Sequence, residues 1–160
     1  MVKKYVFGTP IETDAVVKEI KETSWKDDIF QKEGNVFHYL LKPDEIVYGL
    51  GENVRGMNKR GWRYVSNCSD NPNHCEHTNS LYGAHNFIMM GDGVNETYGL
   101  FVDTPGTVIF DVGYTDIDRL SIAMENENYK IYLIEGETYQ DVVREFREMI
   151  GRSYIAPRWA

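Results

Sequence analysis

The stretch TYGLFVDTPGTVIFDV, residues 97–112, decides how the rest of the chain is read. Two runs rich in Tyr, Leu, Val, Ile and Phe stand on either side of Thr104-Pro105-Gly106. β-Branched and aromatic residues suit the pleated, half-buried surface of a strand, and Pro-Gly is turn chemistry. Working outward, the same texture recurs in NVFHYLL (35–41), EIVYGL (45–50), NFIMM (86–90), RLSIAM (119–124) and YKIYLI (129–134). Lys42-Pro43-Asp44 and Gly91-Asp92-Gly93 supply further turns. Seven short strands at this spacing predict an all-β protein, an antiparallel β-sandwich or barrel over roughly 30–136.

Two segments depart from that pattern. In TDAVVKEIKE, residues 13–22, Thr13 stands as an N-cap, with Ala15, Val16, Glu19 and Ile20 at helical spacing, which predicts a short N-terminal helix. A C-terminal helix is predicted over 138–150: Thr138 and Asp141 resemble a capping box, Tyr139, Val142, Val143, Phe146 and Ile150 recur with helical period, and Gly151 closes it. The following RSYIAPRWA is apolar and aromatic, and Trp159 has nothing after it to pack against, so the natural polypeptide is expected to continue.

Composition narrows the function classes. The chain has 160 residues, 42% of them hydrophobic and 26% charged, which suits one globular domain. Eleven tyrosines fit β-sheets and sugar-facing or partner-facing surfaces, where the ring packs and the hydroxyl stays wet. A net charge of −8 with no basic run argues against nucleic acid as a partner. The N-terminus has no apolar signal region and no window approaches the length of a membrane span, so a cytoplasmic protein is expected, with its two cysteines as free thiols. Without a secretion signal, Asn67-Cys68-Ser69 and Asn95-Glu96-Thr97 read as fortuitous glycosylation sequons.

NCSDNPNHCEHTNSLYGAHNF, residues 67–87, gathers both cysteines and three of the four histidines into one polar segment. A metal site, a ligand-binding loop and a solvated loop all look like this. Cys68, His74, Cys75 and His77 are zinc-competent, but one cysteine stands alone and three ligands crowd into four residues, unlike the paired spacing of zinc modules. A Cys/His nucleophile needs a geometry that spacing does not show. The plainer reading takes Cys68 as a small buried residue and Cys75 as incidental, with His85 at a strand start. In VYGLGEN (47–53) the glycine spacing misses the dinucleotide fingerprint, and Gly49 and Gly51 instead permit a bend or bulge after a strand. Asp70, Glu76, Asp92, Asp103 and Asp111 offer carboxylates, yet spacing nominates no catalytic pair among them.

Five motifs in order resemble glycoside hydrolase family 31, the α-glucosidases, α-xylosidases and relatives: VYGLGE (47–52), SLYGAHNF (80–87), TYGLFVD (97–103), FDVG (110–113) and YIAPRWA (154–160). The resemblance implies a galactose-mutarotase-like N-terminal sandwich over about 1–136, then the 138–150 helix leading to a (β/α)₈ catalytic barrel. Such a barrel needs about 250 residues, so residues 1–160 are expected to form a single N-terminal domain with no catalytic residues, no metal and no cofactor. The expected partners are an oligosaccharide substrate and the chain's own downstream barrel. The family's loop before L-Y-G-A lends a carboxylate to the sugar pocket, and Asp70 is the carboxylate at that place here. Ser66 replaces the family's tryptophan, and one extra residue intervenes. The alternatives are a freestanding carbohydrate-binding sandwich, which should bury Trp159, and a zinc-binding module.

Overall fold

The structure, a computed structural model, describes residues 1–26 and 29–159. Ten strands form two five-stranded antiparallel sheets: β1 (Val2–Phe7), β2 (Phe30–Glu33), β3 (Val36–Leu40), β4 (Tyr48–Gly51), β5 (Trp62–Ser66), β6 (Ala84–Gly91), β7 (Thr97–Asp103), β8 (Val108–Val112), β9 (Arg119–Met124) and β10 (Tyr129–Gly136). One sheet has the order β1-β10-β7-β6-β4 and the other β2-β3-β9-β8-β5. All seven expected strands are present. The sandwich also begins earlier than residue 30, because Val2–Phe7 pairs antiparallel with β10, Val2 opposite Ile134.

Alternation explains the layering. Phe37 and Tyr39 of β3, Phe110 of β8, and Leu120 and Ile122 of β9 project inward. They meet Ile88 and Met90 of β6, Leu100 and Val102 of β7, and Tyr129, Ile131 and Leu133 of β10 in one buried cluster. Successive strand residues point to opposite faces, so one residue in two serves this core. YKIYLI is apolar but for Lys130 because β10 is buried on both faces, and that lysine is paired with carboxylates. Its outer face, with Tyr132 and Ile134, lies under the helix α1 (Tyr139–Ile150).

α1 forms as its sequence requires. The Thr138 hydroxyl accepts from the Asp141 amide at 3.2 Å, and the Thr138 amide donates to the Asp141 carboxylate at 3.1 Å. The Thr138 hydroxyl also donates to the Asp141 carboxylate at 2.7 Å, and that bond foremost, with the one from the Thr138 amide, holds the Asp141 carboxyl below its ordinary range. Val142 and Met149 are buried against the sheet, and Phe146 stacks on Phe87 with ring centroids 3.8 Å apart. Gly99 makes room for this contact: a Cβ there would lie 2.5 Å from Val142 Cγ1.

The expected N-terminal helix is not there. Residues 13–22 run without helical structure across the outer face of the first sheet. The Thr13 hydroxyl donates to the Asp103 carboxylate rather than capping a helix, and Asp14 adopts a left-handed φ of 55°. The Val17 and Lys18 amides both donate to Met149 O at the end of α1, and Thr23 N donates to Lys4 O. Val16 and Ile20 pack into the same cluster as Phe146. A helix of ten residues is marginal by itself, and these tertiary partners satisfy the segment's amides instead. The helical spacing of Val16 and Ile20 was real, but it records two residues facing one sheet.

Candidate carbohydrate-contact loop

Residues 67–83 connect β5, at the edge of one sheet, to β6 in the other, with turns and no regular structure. The base of the loop is zipped. Asn67 N donates to Ser80 Oγ at 3.2 Å, the Ser80 hydroxyl donates back to Asn67 O, and Ser69 N donates to Leu81 O at 3.1 Å. At the tip, Thr78 N donates to Cys75 O at 2.9 Å and Cys75 N to Thr78 Oγ1 at 3.1 Å. The Thr78 hydroxyl also faces the Cys75 sulfur at 3.7 Å and leads the interactions that lower that thiol's pKa.

Two elements hold the loop from outside. Arg55 lies over the Trp62 ring at 4.4 Å, donates to Arg63 O at 2.8 Å, and reaches the tip through Glu76 O at 2.8 Å. Glu52 N donates to Gly83 O at 2.8 Å, Leu81 N to Glu52 O at 3.3 Å, and Gly83 N to the Glu52 carboxylate at 3.1 Å. V-Y-G-L-G-E and L-Y-G-A therefore interlock. The bend expected at Gly49 and Gly51 is a register shift between β4 and β6, with φ values of 122° and 68°. Neither Glu52 nor Arg55 was singled out from the sequence; Glu52 ends the V-Y-G-L-G-E motif, and that was its only signal. Behind them Lys59, 5% exposed, donates to Asn53 Oδ1 and Gly56 O, both at 2.9 Å, and its burial lowers its pKa.

Asp70 is exposed on this loop and makes no hydrogen bond or ion pair among the described residues. Beside it lies an open cleft of about 430 Å³ lined by Asn67, Ser69, Asn71, Asn73, His77 and Asn79, among others. Odd-numbered residues from 65 to 73 line it, as period-two chain presents them, and Asp70 is not among the lining residues. Cys68 is exposed, correcting the expectation that it is buried, and it lines a separate cleft with Asn86. Both cysteines are free thiols. Among the described residues no three His, Cys, Asp or Glu side chains are gathered as a metal ion requires.

Other carboxylates singled out from the sequence have structural tasks. Asp92 accepts the amides of Val94, Asn95 and Glu96 at 2.8–2.9 Å, which holds it far below the usual carboxylate range. Asp111 accepts from the Tyr114 and Thr115 amides and the Thr115 hydroxyl. Asp103 is buried beside Lys130 and Thr13. These three are placed by their turns and packing, not around a common reacting centre.

Two stacked antiparallel sheets, an outer helix and a connecting loop locked by its two glycine motifs define a galactose mutarotase-like sandwich. Residues 8–111 match the profile described as the glycosyl hydrolase 31 N-terminal galactose mutarotase-like domain, and the chain belongs to that family. It is 31% identical over 132 residues to the alpha-glucosidase of Saccharolobus solfataricus, covering 81% of this chain and 19% of that protein. It is 29% identical over 119 residues to the alpha-xylosidase XylQ of Lactiplantibacillus pentosus, covering 73% and 14%. In fold it superposes on the cycloalternan-degrading enzyme of Trueperella pyogenes in complex with isomaltose with a TM-score of 0.73 at 22% identity, covering 84% of this chain and 22% of that one. The chain thus spans about a fifth or less of the curated relatives' length. No described helix is long and apolar enough to cross a membrane.

Proposed function

We propose that residues 1–160 are the N-terminal, non-catalytic domain of a cytoplasmic, retaining α-glucosidase-like hydrolase. In this reading the domain supports a downstream (β/α)₈ barrel and lends the 67–83 loop to its sugar pocket. Family membership supports the class. The observation that carries the loop's role is Asp70: an exposed carboxylate without a partner among the described residues, on a loop tied down by Glu52 and Arg55. A charged acceptor of that kind can take hydrogen bonds from two sugar hydroxyls, and the bonds are stronger than those to a neutral group. Docking to a further domain is supported by Tyr154, Ile155 and Trp159, which follow α1 and are 85–90% exposed.

Retaining hydrolysis needs a nucleophile and an acid about 5 Å apart on a rigid frame. Asp70 alone can orient a sugar but cannot supply both. The test compares the 160-residue chain with the full-length parent on an aryl α-glucoside. The chain alone is expected to give no turnover. In the parent, Asp70→Ala should lower kcat/KM by about 2 kcal/mol in transition-state stabilisation, the scale of a lost charged hydrogen bond, with the melting temperature unchanged. Turnover by the chain alone, or wild-type kinetics in the variant, would overturn the assignment.

A further inference from the structure

We propose that the cleft on the other flank of Asn67 holds a further sugar unit of the same oligosaccharide; the inference rests on the carbohydrate reading above. This cleft of about 340 Å³ falls within the ~300–1,000 Å³ range of small-molecule sites. Its groups come from separate parts of the chain: Asn86 in β6, Thr104, Pro105 and Thr107 in the turn after β7, and Glu125 after β9. Asn67 lines both this cleft and the asparagine-lined one, so a ligand crossing the chain there engages both.

Asn86 is the observation that points to a ligand. It lines the cleft, yet its Oδ1 is buried without a hydrogen-bond partner among the described residues. A buried amide oxygen left unpaired is a standing cost to the folded chain, and, enclosed as it is, it meets a ligand only when the amide turns toward the cleft. Rotation about the last side-chain torsion exchanges its oxygen and nitrogen, so the amide can offer an acceptor or a donor. A sugar hydroxyl, which both donates and accepts, answers either.

The surrounding groups are held ready. Thr107 N donates to the Glu125 carboxylate at 3.0 Å, and Gly106 N donates to Thr104 Oγ1 at 3.3 Å. The Thr107 amide foremost lowers the Glu125 pKa, which keeps the side chain ionised. A carboxylate has about four acceptor positions, so capacity remains for sugar hydroxyls. The Pro105 ring offers an apolar surface for the C–H face of a pyranose. Amide, hydroxyl, carboxylate and a small apolar face together suit a neutral polyhydroxylated ligand.

The test is an amide-resonance titration of the ¹⁵N-labelled chain with maltotriose and, separately, isomaltotriose. With at least one of the two, the Gly106 and Thr107 signals should shift and saturate. Asn86→Ala should weaken that binding by about tenfold or more and leave the melting temperature unchanged or higher, because it removes an unpaired buried group. Glu125→Gln keeps an acceptor for Thr107 and should weaken binding severalfold, so it carries the test if Asn86→Ala melts early. Shifts confined to residues 67–80 overturn this inference and leave the Asp70 loop standing. Shifts at 104–107 that neither substitution changes overturn it as well. Shifts at 104–107 without any at 67–80 support it, and shifts nowhere overturn it; the Asp70 loop stands or falls separately, by the parent's kinetics.

Discussion

Replacing Phe37 by alanine is expected to lower the unfolding free energy by about 3–5 kcal/mol, the range for emptying an aromatic site in a close-packed core. Phe37 sits in β3, an interior strand, and is 1% exposed. Its ring meets Trp25 at 4.9 Å, Phe7 at 5.6 Å and Tyr129 at 6.1 Å, each edge to face. Those partners come from the N-terminal segment, β1 and β10, so truncation opens a cavity where the two sheets meet. Rigid neighbours on both sides limit collapse, which places the cost toward the upper end. Urea denaturation followed by circular dichroism reads the effect directly. A loss below about 1 kcal/mol, the ordinary scale of a surface substitution or less, would mean that the sheets do not pack through this ring.

Gly51→Ala should cost about 2–5 kcal/mol, and it should do so by breaking the loop's anchorage. Gly51 has φ 68°, and a Cβ built there would lie 2.2 Å from Gly83 O and 2.9 Å from His85 N. Backbone atoms cannot swing aside as a side-chain tip can. The left-handed conformation contributes about 1–2 kcal/mol and the collision a further ~1–3 kcal/mol. Gly34 separates the two terms. It has φ 58° with nothing within 4 Å of its would-be Cβ, so Gly34→Ala should show the conformational part alone. Hydrogen exchange at Leu81 and Gly83 should accelerate in Gly51→Ala and stay slow in Gly34→Ala. Equal costs for the two variants would show that the loop is not seated on this turn.

The strands that could be read from the sequence, and those that could not, divide by position in the sheets. β1, β2 and β5 escaped sequence reading, and all three are sheet edges. An edge strand buries less and carries charge against unwanted pairing, as VKKYVF, FQKE and WRYVS do with their Lys, Glu and Arg residues. β4 is the fourth edge, and it was legible because Val47 and Leu50 are buried and two glycines mark its bulge. α1 was legible to the residue at Thr138 and Gly151, since capping is local chemistry. The false helix at 13–22 failed because its partners, Lys4, Asp103 and Met149, are remote in sequence.

The loop was legible as polar and irregular, and family resemblance alone nominates Asp70 within it. Which residues line the cleft could not be read, because that depends on the chain continuing its strand-like alternation past Ser66. Nor could the interlock of Glu52 with Gly83 be read, since it joins two motifs 31 positions apart that look locally complete.

The pairing of β1 with β10 imposes an order in time. Val2 lies opposite Ile134, and the amides of Val17 and Lys18 wait for Met149. A ribosome adds roughly 5–20 residues per second, so the first strand leaves it on the order of ten seconds before its partner exists. Through that interval VKKYVF is an unpaired strand in a crowded cell, able to join any other exposed edge. Lys3 and Lys4 oppose that, because like charges on two such segments repel before backbone bonds can form. The lysines that disguise β1 as a poor strand thus guard it during synthesis. Once β10 arrives, Lys3 turns to Glu135 across the new pair.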